Sequence, residues 1–455
     1  MTAVVPTGNR AASAAAAAPD SPMAPLAAAL LDPQLAGAFA ALDGTGMPWV
    51  VLRSADRLPG PVAHHRRADG SDPAAEVDVL VARGAREQVA GALALAGFAL
   101  LPRPGRGSHR FFLAFDEGST RWLKLDVVDD LAFGRWAELQ APIATVILGR
   151  RVRRGAVAVP APADEAWLET LHLLLDREAL DPDARGRLEQ DSAALAMDGP
   201  VPGWLDSVSA GTAERVAGGL RAGDVAAARA AARHARAASV GPGGAMGPGR
   251  AVARTVATIA LRRLSSVPRP WGRRGLYVAL LGPDGSGKSS VADSLQLLSP
   301  LPVRTFYLGA YPEAQGGQPR PTHLPGASLM RRLGRLARTS VAARSHAWRG
   351  GLAVADRHPI EALLRGEGGA RRWLVGHAAL TPDLFVVLDA PADVLVGRKA
   401  EHSVDRIAAD RAMYERLVRS DSSVVVVDAR PSIERTAAAV MAGIWAAFAS
   451  AGADQ

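Results

Sequence analysis

The chain has 455 residues, a length that predicts two or three domains rather than a single core. Hydrophobic residues make up 48% and charged residues 22%, as in globular proteins, and the absence of cysteine excludes disulfides, thiolate nucleophiles and cysteine-ligated metals. The net charge of +8 does not indicate nucleic-acid binding, because arginine is spread along the chain and aromatic residues make up only 5% of it. A diffuse positive field nevertheless suits anionic nucleotide substrates.

The first 24 residues are rich in alanine with scattered proline, which predicts a disordered tail over 1–24. This segment lacks a basic start and a strongly apolar core, so we expect no signal peptide. No apolar run reaches the ~18–20 residues that a membrane span needs. We therefore expect a cytoplasmic protein without a membrane or nucleic-acid partner.

The segment 25–160 mixes predicted helices and strands. The predicted elements are a helix over 25–42, strands over 49–52 and 77–81, a helix over 85–96, and a strand pair over 110–115 and 121–128. Glu76 and Asp78 fall on one face of a strand, since side chains alternate with period two, and Asp126 lies on another strand. Three carboxylates placed in this way can hold two Mg²⁺ ions for nucleotidyl transfer.

This segment resembles the nucleotidyltransferase superfamily of polymerase-β type, in element order and in carboxylate spacing. The resemblance implies an α+β domain in which Glu76, Asp78 and Asp126 are metal ligands. One departure is that the Gly-Ser that opens a helix in this family is replaced by Val51-Leu52-Arg53-Ser54. A fold kept for binding or architecture, with solvated carboxylates, is the alternative interpretation.

A helical segment over 161–238 follows, with clustered leucines at its start. A glycine- and proline-rich run over 241–249 then predicts a linker, and the linker and a connector helix together span 239–274.

The last segment, 275–455, alternates short apolar runs with helical stretches. Its predicted strands are 277–281, 303–307, 352–355, 384–388 and 423–427. Near-continuous apolar strands are typical of a parallel sheet that is buried on both faces. The sequence therefore predicts an α/β domain with a doubly wound, five-stranded parallel sheet and a site at the carboxyl ends of its strands.

A glycine-rich motif, G-x-x-x-x-G-K-[ST], lies between the first of these strands and a helix. Its residues are Gly282, Pro283, Asp284, Gly285, Ser286, Gly287, Lys288 and Ser289, followed by Ser290. Backbone N–H groups in such a loop surround phosphates, the lysine reaches the outer phosphates and the hydroxyl holds Mg²⁺. The chain has only three lysines among 53 Lys and Arg residues, so a lysine at position 288 favours this interpretation over a chance glycine turn.

Other strand ends carry further candidates. Asp356 and Arg357 stand at the end of the third strand. The aspartate is suited to hold the water shell of a bound Mg²⁺ ion, and the arginine is suited to bind a second phosphate. Arg398 and Arg406 follow the fourth strand on helical segments, where a mobile arginine would stabilise a transferred phosphoryl group. The alternative for either arginine is a solvated helix face with i,i+4 pairs such as Arg406–Asp410.

The segment 275–455 resembles the thymidylate kinase-like family of P-loop kinases. The resemblance covers about 180 residues and rests on the glycine motif, on Ala355-Asp356-Arg357, on the fourth strand 382–391, on the arginines of 398–416 and on the turn 427–433. It implies ATP and Mg²⁺ as cofactors, Arg357 on the acceptor phosphate, an arginine lid and a homodimer. Two departures concern the acceptor side: the acidic loop after the second strand is absent, and His358 and Glu361 stand where the family has an aromatic residue and a serine.

The leading hypothesis is an ATP-dependent phosphotransferase acting on a small molecule, a nucleotide or nucleoside or else a sugar. In it, Lys288 holds the phosphates and Ser289 and Asp356 hold Mg²⁺. A second hypothesis makes the N-terminal domain a nucleotidyltransferase, and a third is a nucleotide-gated binding module without catalysis.

Overall fold

The computed structural model describes residues 31–53, 55, 58, 75–101, 108–134, 137–241, 244, 247–264, 275–309, 327–364, 369–398, 403–420 and 423–453. The tail predicted over 1–24 lies outside the described residues. The helices are α1 (Pro33–Gly44), α2 (Arg86–Leu95), α3 (Ala144–Gly149), α4 (Pro162–Leu175), α5 (Pro182–Ser192), α6 (Pro200–Val208), α7 (Thr212–Arg221), α8 (Val225–Val240), α9 (Pro248–Leu264), α10 (Lys288–Leu298), α11 (Ala327–Trp348), α12 (Glu361–Leu364), α13 (Ala370–Gly376), α14 (Ala392–Arg398), α15 (Val404–Ser420) and α16 (Ile433–Ala453). The strands are β1 (Trp49–Val51), β2 (Ala75–Val81), β3 (Ala99–Leu100), β4 (Arg110–Asp116), β5 (Arg121–Val128), β6 (Leu131–Phe133), β7 (Leu139–Ala141), β8 (Val152–Arg154), β9 (Val157–Val159), β10 (Leu276–Leu281), β11 (Val303–Tyr307), β12 (Leu352–Asp356), β13 (Leu384–Asp389) and β14 (Val424–Asp428).

The first helix begins later than its apolar pattern predicted. Its N-cap is Asp32, whose carboxylate accepts hydrogen bonds from the backbone N–H groups of Gln34 (2.8 Å) and Leu35 (3.4 Å). A capping carboxylate followed by proline fixes a helix start, because the first N–H groups have no partner inside the helix. Residues 31 and 32, which were predicted to be helical, therefore precede the helix. Residues 25–30 lie outside the described residues.

The N-terminal sheet brings the predicted carboxylate strands side by side. Its strand order is β1-β2-β5-β4-β3, and β2 and β5 are parallel whereas the other neighbours are antiparallel. The register places Asp78 opposite Asp126. Two short hairpins, β6–β7 and β8–β9, were not predicted from the sequence.

The predicted helical segment does not have a core of its own. One continuous set of buried apolar side chains runs from the N-terminal sheet through Trp167 and Leu171 on α4 to Ala232 on α8. The sheet and helices α4–α8 therefore bury their apolar faces against each other.

The C-terminal sheet is parallel throughout and has the order β11-β12-β10-β13-β14. Alternate residues of β10 pack into two different hydrophobic cores, one on each face of the sheet. Val278 and Leu280 pack against α10 and α16 on one face. Tyr277 and Ala279 pack against α11 and α15 on the other face. Both faces are covered, as the near-continuous apolar strands predicted. The sheet is consistent with the fold of P-loop kinases.

The two sheets are joined through helices α10 and α16. The Trp122 indole on β5 donates to the Leu298 carbonyl at 2.7 Å, and the Trp445 indole on α16 donates to the Leu113 carbonyl at 2.8 Å. The two indole rings meet edge to face, with centroids 4.6 Å apart. A large apolar contact with both indole donors satisfied fixes the two sheets relative to each other.

Among the described residues, no helix combines the length and the apolar character needed to cross a bilayer.

Candidate functional site

The glycine motif forms the turn from β10 into α10. Gly282, Gly285 and Gly287 have φ angles of +141°, +85° and +84°. Residues other than glycine rarely adopt these angles, so the chain can make this turn only with glycine at such positions. The loop therefore ends at the N-terminus of α10, where unpaired N–H groups favour an anion.

Lys288 is buried under this loop, with 7% of its surface exposed. Its Nζ donates to the carbonyl oxygens of Gly282 and Pro283, both at 2.8 Å, and lies 3.4 Å from Ser286 Oγ. Burial lowers the pKa of Lys288, and the positive charge of Arg357 lowers it further. An amine held in this way is available to a phosphate that replaces the two carbonyl contacts.

Ser289 and Asp356 are brought together across two strands. Ser289 Oγ donates to Asp356 Oδ2 at 2.9 Å. Asp356 ends β12, which pairs with β10 in parallel, so both groups lie at the carboxyl edge of the sheet. A hydroxyl and a carboxylate oxygen are the ligands that Mg²⁺ prefers, and the pair fits a magnesium ion bound to a nucleotide.

Arg357 turns back over the phosphate loop. Its guanidinium contacts Asp284 Oδ1 at 2.6 Å, and its φ of +70° is unusual for a residue with a side chain. Burial alone would lower the pKa of Arg357, but the carboxylates of Asp284 and Glu361 raise it. The predicted acceptor-binding arginine is thus paired with a carboxylate of the loop.

The arginines predicted for a lid lie elsewhere. Arg398 donates to the carbonyls of Ala429 (2.7 Å) and Arg430 (3.0 Å), in the turn after β14. Arg406 pairs with Asp410 at 3.8 Å on the exposed side of α15, which is the i,i+4 arrangement left open from the sequence. Neither side chain contacts the phosphate loop in this structure, so their proposed role requires a movement.

Tyr414, a residue that the sequence did not single out for catalysis, reaches the loop. The Tyr414 hydroxyl on α15 lies 2.8 Å from Glu361 Oε1 and 3.2 Å from the Gly282 carbonyl. Burial raises the pKa of Tyr414, and the charge of Glu361 raises it further. The only sequence signal was a single tyrosine in a helix rich in charged residues.

His358 is buried directly behind the site. Its Nε2 lies 3.2 Å from the Leu380 carbonyl, its Nδ1 accepts from the Ile360 N–H at 3.2 Å, and its ring packs edge to face on Phe385. The ring therefore carries its proton on Nε2. Burial lowers the pKa of His358 to about 4, and the hydrogen bond to Leu380 only partly opposes this.

The buried histidine predicts a loss of stability in acid. Between its unfolded pKa of 6.5 and the folded value of about 4, only the unfolded chain binds the proton. The free energy of unfolding should then fall by roughly 3 kcal/mol as the pH drops through this window. Urea unfolding of wild type and His358→Gln across this range measures the effect. The variant should lose that part of the slope, and parallel curves would contradict the prediction.

A second cluster lies on the N-terminal sheet. One oxygen from each of Glu76, Asp78 and Asp126 lies within 4.8 Å of the others, so the structure brings the three predicted ligands together. They line a cavity of about 510 Å³ between the sheet and α4, which His172 and Arg187 also line. This geometry suits divalent metal ions.

Each of the three carboxylates has a basic partner. Arg53 contacts Asp78, His109 contacts Asp126 and Lys124 contacts Glu76, each at 2.7 Å. Burial would raise the pKa of Asp78, but the charge and hydrogen bond of Arg53 lower it. Burial would likewise lower the pKa of His109, but Asp126 raises it. A metal ion at this cluster would therefore compete with these basic side chains.

Comparisons with known proteins give the following similarities. No family model matches the chain, and no curated protein matches it. Among solved structures, the chain is similar to thymidylate kinase from Candida albicans with 16% sequence identity and a TM-score of 0.30, over 37% of this chain and 91% of the other.

Proposed function

We propose that the protein is an ATP-dependent phosphotransferase that acts on a small acceptor at the carboxyl edge of its parallel sheet. Lys288 and the loop N–H groups hold the phosphates, and Ser289 with Asp356 holds Mg²⁺. When bound, Mg²⁺ would supply positive charge that stabilises the transferred group. The chain's own residues bind and orient the reactants.

One observation carries this proposal. The phosphate loop, its buried lysine and the Ser289–Asp356 contact of 2.9 Å occur together on adjacent parallel strands. The loop alone would fit many nucleotide-binding proteins. A carboxylate held against the loop's hydroxyl adds the metal position that phosphoryl transfer needs.

The carboxylate at position 356 provides the test. We expect Asp356→Asn to lower ATP turnover about 10²-fold or more, because a ligand of the metal is lost. Turnover is measured as ADP release against a panel of nucleotides, nucleosides and sugars, with the exposed Asp293→Asn on α10 as the matched control. Equal turnover in the two variants would contradict the proposal. Binding of MgATP by wild type without transfer to any acceptor would instead support a binding module.

A nucleotidyltransferase site on the N-terminal sheet is the second candidate. The approach of Glu76, Asp78 and Asp126 to within 4.8 Å favours it. The element order and spacing also resemble polymerase-β-type domains. For this activity, metal binding has to displace Arg53 and His109 from their carboxylates, and the phosphates of a nucleotide are suitable new partners for both.

Pyrophosphate release separates the two candidates. If the N-terminal site is catalytic, Asp78→Asn and Asp126→Asn should abolish pyrophosphate release, whereas Lys288→Met should leave it intact. Glu117→Gln, which alters an exposed carboxylate on the β4–β5 hairpin, is the control. Release that persists in both aspartate variants would exclude this site as its source.

A further inference from the structure

A histidine on α4 and an aspartate at its C-terminal end line the same cavity as the N-terminal carboxylates. The cavity of about 510 Å³ lies between the sheet and α4, and His172 and Asp176 line it together with Glu76, Asp78 and Asp126. Its volume suits a small-molecule ligand. A ligand that fills this cavity and reaches the three carboxylates therefore also lies beside α4.

The aspartate fixes the histidine ring. His172 Nδ1 lies 2.9 Å from Asp176 Oδ2, one helical turn further along the chain. The other carboxylate oxygen, Oδ1, accepts a hydrogen bond from the backbone N–H of Gly134 at 2.5 Å. Gly134 follows β6 and has a φ of +95°, an angle that residues with a side chain rarely adopt. Both oxygens of Asp176 are thus engaged, so the carboxylate and the ring beside it have a fixed direction.

A histidine and an aspartate four residues apart also pair on ordinary helix surfaces. Two observations set this pair apart. Its carboxylate is anchored by the backbone of Gly134, 42 residues away in the chain. The side chains of His172 and Asp176 are only 25% and 24% exposed, and both line the cavity. The pair is therefore part of the cavity wall.

The pairing makes the second ring nitrogen a proton acceptor. A neutral imidazole carries one proton, and a carboxylate beside Nδ1 holds the proton on that atom. Nε2, on the opposite side of the ring from Asp176, then keeps its lone pair. Burial would raise the pKa of Asp78, but Arg53 lowers it, and the charge of protonated His172 lowers it further. A proton taken up at Nε2 is therefore stabilised by Asp176 and by the carboxylate cluster.

Other acids and bases of the cavity wall have different partners. Glu169 pairs with Arg187 at 3.1 Å, and His109 contacts Asp126 through Nδ1 at 2.7 Å. His109 therefore belongs to the carboxylate cluster. Among the described residues that line the cavity, His172 is the imidazole that lies outside the cluster.

We propose that His172 is the general base of the N-terminal site and that Asp176 is a positioning residue that sets its tautomer. This inference rests on the nucleotidyltransferase candidate and assigns the proton transfer which that reaction needs. The acceptor hydroxyl oxygen bonds to the α-phosphorus of a nucleoside triphosphate as the bond from that phosphorus to the α,β-bridging oxygen breaks. Pyrophosphate leaves with the electron pair, and the hydroxyl proton passes to Nε2 of His172 and then to water.

His172→Asn separates base catalysis from structure. The asparagine amide can still donate to Asp176, but it has no nitrogen that takes up a proton. With ATP, GTP, CTP or UTP, Mg²⁺ and the panel of nucleosides and sugars, we expect pyrophosphate release to fall roughly 10²- to 10³-fold. The midpoint of thermal unfolding should not change. His234→Gln, which alters an exposed histidine on α8, is the matched control for both measurements.

Asp176→Asn tests the positioning role. The Gly134 N–H requires the amide oxygen, so the amide NH₂ faces Nδ1 of His172 and reverses its tautomer. We expect kcat to fall roughly 10- to 100-fold with KM within about twofold of wild type, because the proton acceptor is lost and ground-state binding is kept. Added imidazole should restore part of the activity of His172→Ala, which leaves room for it, but not that of Asp176→Asn.

The outcomes distinguish the inference from the function on which it rests. Equal pyrophosphate release by wild type and His172→Asn, or a folded His172→Ala that imidazole does not restore, would overturn the inference alone. A wild type that releases no pyrophosphate from any pair of triphosphate and acceptor would overturn the nucleotidyltransferase candidate, and the inference with it.

Discussion

Replacement of Lys288 by methionine should abolish nearly all ATP turnover and leave the fold intact. The side chain is 7% exposed and its amine contacts two loop carbonyls, so methionine fills the same space without the charge. Loss of one cation at a transferred phosphoryl group costs roughly 10²–10³-fold in rate. ADP release under saturating ATP and acceptor measures this loss.

The stability of the same variant separates chemistry from folding. Burial already lowers the pKa of Lys288, so removal of the charge relieves a desolvation cost while it leaves two carbonyls without their donor. These effects oppose each other, and we expect a net change of about 1 kcal/mol in either direction. Arg338→Met, which removes an exposed cation from α11, should alter neither rate nor stability. Undiminished turnover in Lys288→Met would show that the phosphate loop is not the catalytic site.

Replacement of Gly282 by alanine should damage both the loop and the fold. An added Cβ would lie 2.5 Å from the Leu388 carbonyl oxygen and 2.9 Å from Ser286 Oγ, at a φ of +141°. Backbone of β13 cannot move away without disturbing the sheet. We expect about 2–4 kcal/mol of destabilisation from strain and overpacking, and about 10²-fold weaker ATP binding because the loop N–H groups are displaced.

Thermal unfolding and titration with a fluorescent ATP analogue measure the two effects. Gly203→Ala is the matched control, since Gly203 lies within α6 with no atom within 4 Å of the new Cβ. Alanine there should be neutral or slightly stabilising, because it restricts the unfolded chain. Normal nucleotide affinity in Gly282→Ala would show that the close approach of the loop to β13 has no role in binding.

The elements with strong local patterns were predictable. The five parallel strands were found because each is a short, nearly continuous apolar run, and all five appear within about two residues of their predicted ends. Strands β2 and β5 were found from alternation, whereas their adjacency in the sheet was implied only by the resemblance to polymerase-β-type domains. The short hairpins β6–β7 and β8–β9 were missed, since three-residue strands give too few alternating positions to register. The polymerase-β-type assignment of the N-terminal domain stays a prediction.

The sequence by itself determined the phosphate loop, because glycine spacing, a lysine and a preceding strand are all local in the chain. Strand alternation, which is local too, placed Glu76 and Asp78 on one face of a strand. Only the tertiary structure decided the partners of these groups. Arg357 pairs with Asp284, Arg53 with Asp78 and Tyr414 with Glu361 across separations of 73, 25 and 53 residues. Such pairings depend on how sheets and helices pack, and no spacing along the chain encodes them.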